Sequence, residues 1–209
     1  MVIGMALPLG WPGASVAQPR DDGLMLLLIR ELGFEQGSED VKDEAVLECV
    51  RNRMLQVRPS QRDVSFDEFR AVAFPALQRA AAPRRPEYLK MLFDTEAFRQ
   101  RVAPLGLRYI AFIGGVTETE QGPSGVYGVG NPYGVLIAHS SWHKATRLSA
   151  MVLDLKTGGK SAPLTSAATG TSWFVLIGVI PLGGASDTVG EACQNLGARL
   201  GAFLDEANK

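Results

Sequence analysis

The chain is short of the residues that do most metal and redox chemistry. Its 209 residues include two cysteines and two histidines. Zinc centres take three or four protein ligands, drawn mainly from those residues and carboxylates, so a metal site is not expected. Charge of one sign is also lacking: 21 Lys and Arg stand against 22 Asp and Glu, for a net charge of −1. Nucleic-acid binding needs a basic face or stripe, and the scattered Lys and Arg provide none, so no nucleic-acid partner is expected. Past the amino terminus no stretch reaches the roughly 20 apolar residues of a membrane-spanning helix. Internal repeats are absent.

What remains is an ordinary globular composition, 46% apolar and 21% charged. A domain of this size buries roughly 70% of its unfolded surface, enough for a sizeable core. The expected organisation is a signal-like segment over residues 1–17 and a single domain over 18–209. Met1 to Ala17, "MVIGMALPLGWPGASVA", is apolar and uncharged and ends in Ser15-Val16-Ala17. Small residues at −3 and −1 suit signal-peptidase cleavage, although there is no basic leading region and Pro8 and Pro12 interrupt the run. No cysteine follows closely, so a lipid-modified cysteine is not expected. In an oxidising compartment Cys49 and Cys193 could pair, but the residues alone favour two separate buried thiols.

Periodicity then orders the elements. Gly23 to Phe34 holds a continuous apolar run that reads as a buried strand. Val46, Leu47, Val50, Met54 and Leu55 make a helical stripe within Asp43 to Val57. Ser65-x-x-Glu68 is a capping box, opening a short helix that Pro75 ends. Glu87 to Phe93 suits another helical turn or two, and Asp94 or Thr95 caps "EAFRQRVAPLG". Leu107 to Val116 changes to a buried strand bounded by glycines. Thr117 to Gly134, "TETEQGPSGVYGVGNPYG", reads as loop, and Val135 to His139 as a short strand. Thr146 to Leu153 and Ser161 to Thr171 alternate around Lys156-Thr157-Gly158-Gly159, the pattern of a β-hairpin. Val189, Ala192, Cys193, Leu196, Leu200, Phe203 and Leu204 share one face of a closing helix capped by Ser186 or Asp187. Helices, short-loop strands, a hairpin and a helix give an α+β two-layer sandwich with a mainly antiparallel sheet.

The motifs that would carry catalysis fail on detail. His139 and His143 stand four residues apart, a metal spacing on a helix but about 13 Å on a strand. Gly159-Lys160-Ser161 ends like a phosphate loop, yet Asp154 occupies the position of the opening glycine and a strand follows instead of a helix. Gly128-x-Gly130-x-x-x-Gly134 has one residue too many for a dinucleotide fingerprint. Neither "GPSGV" nor "GTSWF" is a nucleophile elbow. No cofactor is expected. Trp173 to Gly183, "WFVLIGVIPLG", is the most apolar stretch outside the amino terminus. It suits either a buried strand with its connection or a surface offered to a partner. The interface residues expected on the second reading are Trp173, Phe174, Val175, Leu176 and Ile177.

"LGLRYIAFIGG", "ATRLSAMVLDLKTG", "SAATGTSWF" and the terminal amphipathic helix together resemble a group of bacterial envelope proteins. These share the small α/β domain of the curli-secretion lipoprotein and of the amino-terminal domain of the Tol translocation protein. The resemblance covers roughly Glu96 to Leu204. It includes Asp-x-x-Thr-Gly, here Asp154, Thr157 and Gly158, which is also plain turn chemistry. The lipid-anchoring cysteine of the group is missing, and the part before Glu96 matches nothing in it. The resemblance implies a periplasmic or outer-membrane-associated protein with a scaffolding, secretion or transport-accessory role, and it carries over no catalytic residues. The expected partner is an envelope protein or a membrane surface, with a homo-oligomer also compatible. The competing expectation is a small hydrolase or ligand-binding enzyme. Its site would lie near the Gly-rich loop 122–134 with His139 or His143.

Overall fold

The computed structural model describes residues 22–29, 43–78, 82–83, 85–128, 136–177 and 179–207. The signal-like segment 1–17 lies outside them. Five strands form one sheet in sequence order: β1 (Gly23–Leu28), β2 (Leu107–Gly128), β3 (Leu136–Asp154), β4 (Leu164–Ile177) and β5 (Ile180–Gly184). β1 runs parallel to β2, and the other neighbours are antiparallel. The helices are α1 (Asp43–Val57), α2 (Phe66–Ala73), α3 (Pro86–Phe93), α4 (Glu96–Val102) and α5 (Thr188–Ala207). This is the expected α+β class, with its mainly antiparallel sheet and amphipathic carboxy-terminal helix.

Alternation in the strands divides the core. Leu24 and Leu26 of β1, Tyr109, Ala111 and Ile113 of β2, and Leu148, Ala150 and Val152 of β3 point to α1 and α5. Their neighbours Met25, Leu27, Ile110, Phe112 and Leu153 point the other way, onto α2, α3 and α4. There Phe69, Phe74, Phe93 and Phe98 form an aromatic cluster, with Phe93 and Phe98 edge to face at 5.1 Å. Helices therefore cover this part of the sheet on both faces, and the buried β1 loses its polar alternation, as parallel strands enclosed in this way do.

Local chemistry sets the helix ends. The Ser65 hydroxyl accepts from the Glu68 N–H at 3.1 Å, which fulfils the serine half of the expected box. Asp187 accepts from the Gly190 N–H at 2.8 Å and caps α5. In the hairpin turn, Asp154 accepts from the Lys156 N–H at 2.8 Å, and Gly158 takes φ of 68°, a left-handed conformation costly for residues with a Cβ.

Two expectations need correction. Cys49 of α1 and Cys193 of α5 form a disulfide with Cα atoms 5.9 Å apart, so they are not separate thiols. Glycines on α5 let the two helices approach closely enough for the bond: a Cβ on Gly197 would lie 2.6 Å from the Val50 carbonyl oxygen. The second correction concerns Thr117 to Gly134. Thr117 to Gly128 continues β2 as strand and pairs with β3 down to Gly128↔Leu136. Gly122, Pro123 and Gly125, which suggested loop, sit at or beside an irregularity between Gln121 and Ser124. One extra residue is accommodated there as a bulge.

Candidate functional site: the distal end of the sheet

The long strands outrun their helical cover. The buried apolar positions stop at Ile113 on β2, Leu148 on β3 and Ala168 on β4. A relay of hydroxyls marks the border: Thr146 lies 3.0 Å from Thr117 and 2.8 Å from Thr188 at the start of α5. Past it the sheet continues as two antiparallel hairpins, β2–β3 and β4–β5, joined through β3 and β4.

The side chains at this far end are apolar on both faces. Val126, Ala138, Leu176 and Pro181 lie side by side across the four strands. By alternation they share the α5 side of the sheet. The next row, Tyr127, Ile137, Ile177 and Ile180, projects from the opposite side. Among the described residues, thirteen large apolar side chains are exposed, and nine of them lie here, with Val179 at the β4–β5 turn 92% exposed. Ordinary surfaces carry scattered apolar side chains, whereas a contiguous patch marks a site of interaction.

Of the five expected interface residues, Trp173, Phe174 and Ile177 are exposed, while Val175 and Leu176 are half-buried. They sit on β4 with alternating directions: Trp173, Val175 and Ile177 share one face, Phe174 and Leu176 the other. Sequence reasoning missed the contributions of β2 and β5. Val126 and Tyr127 lay in the stretch read as loop, and Ile180 and Leu182 in a stretch with no strand of its own. The detectable signal was density: β-branched and aromatic residues on either side of Gly178, with no charged residue between Lys160 and Asp187.

The two histidines fall on β3, on the face opposite α5. His139 stacks on Tyr127 with ring centroids 5.4 Å apart and planes 10° apart. His143 Nδ1 lies 3.1 Å from Thr171 Oγ1. Glu120 stands opposite His143 in the β2–β3 register. An acid, an imidazole and a hydroxyl thus meet on neighbouring strands, lining a shallow concavity with Glu118 and Lys144, but His143, Glu120 and Thr171 are all exposed to water there. Water competes there for every hydrogen bond, and the preorganised, water-excluded environment that makes such groups effective is missing. Of the Gly-rich loop 122–134, residues 122–128 belong to β2 and the rest lies outside the described residues. No group of three His, Cys, Asp or Glu able to hold a metal ion occurs among the described residues.

A further concavity opens between α4 and the start of β2, lined by Phe93, Val102, Leu107 and Leu155 with Arg99, Arg108 and Lys156 around it. Arg108 is engaged by Asp154 at 3.5 Å and lies over the Tyr109 ring at 4.7 Å. Arg99 pairs with Glu96 at 2.7 Å.

No protein-family model matches the chain. No curated protein matches it either. Among solved structures it is similar to a neuraminyllactose-binding hemagglutinin homolog from Helicobacter pylori, with 7% identity, TM-score 0.39, and 97% of this chain and 94% of that one covered. It is also similar to lipoprotein GNA1162 from Neisseria meningitidis, with 11% identity, TM-score 0.36 and coverage of 90% and 99%. A third is hypothetical protein CT253 from Chlamydia trachomatis, with 10% identity, TM-score 0.39 and coverage of 87% and 96%. Likenesses of this size assign no activity.

Proposed function

We propose that the chain is an exported, non-enzymatic protein of the bacterial envelope. It works as a scaffolding, secretion or transport-accessory binding module by burying the distal end of its sheet against another envelope component. The observation that carries this reading is the pair of adjacent rows, Val126 to Pro181 and Tyr127 to Ile180, apolar across four strands and open to solvent on both faces. Burial of such surface contributes about 25 cal/mol per Å², so apolar contact, not reactive groups, supplies the driving force. Export is supported by the paired Cys49 and Cys193, since structural disulfides persist mainly in oxidising compartments. The small-residue end of the segment 1–17 agrees with it.

Cell fractionation with sequencing of the mature amino terminus, combined with a photo-crosslinking residue at Ile177, tests the proposal. The expected result is a periplasmic chain beginning at Gln18, with a crosslink to an envelope component that is lost when the crosslinker is moved to Met91. An intact Met1 in the cytosol, with both thiols reduced, would overturn it.

A further inference from the structure

Which component covers the distal end is the next question, and the answer rests on the binding-module reading above. We infer that the sheet tip docks into the interfacial layer of a lipid bilayer. The two rows point in opposite directions, so a rigid partner seated on one face leaves the other in water. A fluid lipid surface closes around both faces and around Val179 at the turn, which is 92% exposed.

The edges of the tip argue against a second copy adding a strand. β1 covers β2 only as far as Ile113, so beyond it the outer edge of β2 has no partner strand among the described residues. That edge carries the bulge and Pro123. The other edge is β5, which carries Pro181. Proline removes a ladder donor and a bulge twists the edge away, both devices that discourage edge pairing. Nor do the rows suit a pore wall, whose strands alternate lipid-facing apolar with lumen-facing polar residues.

The same open edges limit depth. Unpaired backbone N–H and C=O groups are not tolerated in the hydrocarbon region, whereas the headgroup boundary still holds water and admits an apolar face to about 5–10 Å. Ile177 and Trp173 are four residues apart on β4, about 13 Å at the usual strand rise, so a tip inserted to that depth leaves Trp173 just outside it. Trp173 then stands on the headgroup side of the boundary, where amphipathic indoles settle at membrane surfaces. Trp142, half-buried on the neighbouring strand one residue further from the tip, lies at nearly the same level.

Flotation of the full chain with vesicles of phosphatidylethanolamine and phosphatidylglycerol tests this. Wild type and Met91→Asp, an exposed apolar site on α3, should float alike. The double variant Ile177→Asp, Ile180→Asp should lose binding about tenfold or more, because two exposed isoleucines that would enter the lipid are replaced by charges. Any uncleaved amino-terminal segment is common to all three and cannot cause that difference. If the double variant melts earlier than wild type, Val179→Asp, at the most exposed position, replaces it. Absence of flotation, or flotation indifferent to the tip variants, overturns the lipid proposal. So does self-association in solution that the double variant abolishes while vesicles stay unbound. In either case a specific envelope-protein crosslink from Ile177 would leave the binding-module reading standing, and no crosslink at all would remove both.

Discussion

Cys49 and Cys193 are bonded to each other across 144 residues of chain, joining the middle of α1 to the first turns of α5. The bond lies beside the buried seam of Val50, Met54, Leu196 and Leu200. Cross-linking so long a loop removes much of the freedom of the unfolded chain, worth about 2–5 kcal/mol in typical proteins. The double variant Cys49→Ser, Cys193→Ser should lose stability in that range. Urea unfolding should register the loss, and dithiothreitol should reproduce it in wild type while leaving the variant unchanged.

Gly197 faces the same seam. A methyl there would meet the Val50 carbonyl oxygen at 2.6 Å and Arg53 Cβ at 2.8 Å, so the helices must separate to admit it. Gly197→Ala improves intrinsic helix propensity, yet it should destabilise by about 1–3 kcal/mol because overpacking against backbone outweighs that gain. A thermal melt showing a higher midpoint would contradict the close packing of α1 and α5.

The Tyr109 phenol has its pKa raised, first by burial and then by the Asp154 carboxylate, with the Arg108 cation acting the other way. The folded chain therefore holds this proton after the unfolded chain has begun to release it. The contribution is complete below pH of about 10, the usual phenol value, and is lost as pH rises through the higher folded value. Wild type should thus lose stability at alkaline pH more steeply than Tyr109→Phe, by up to about 1.4 kcal/mol per pH unit. Melting curves of the two proteins between neutral pH and pH of about 11 should diverge only at the alkaline end.

Ser65 supplies one hydroxyl to the first turn of α2, where Glu68 N–H donates to it at 3.1 Å. Removing it in Ser65→Ala should cost about 1 kcal/mol. Ser65→Asp should recover most of that loss, which separates capping from a general packing effect in chemical denaturation.

These elements differ in how far the sequence announced them. The α1 stripe, the Ser65 cap, the Asp154 turn and the α5 face depend on neighbours a few residues away, so local periodicity and cap chemistry revealed them. β2 past Val116 did not read as strand because its glycines and Pro123 are turn residues everywhere except around a bulge on an open edge. The Cys49–Cys193 pairing was hidden for a different reason: it depends on two helices distant in sequence being placed side by side. The exposed apolar stretch on β4 was visible as an apolar run. Its extension into Val126, Tyr127 and Ile180 appeared only once register had aligned four strands. His139 and His143, prominent in the sequence by rarity, were distributed along β3 instead of converging.

The parallel pairing of β1 with β2 carries a consequence for the timing of assembly. Leu24 finds its partner Tyr109 only after four intervening helices, α1 to α4, have been made, and the seam under it is sealed only by the final helix. The α1 side of the core therefore waits for the carboxy-terminal residues, whereas the aromatic side over α2, α3 and α4 is complete without them.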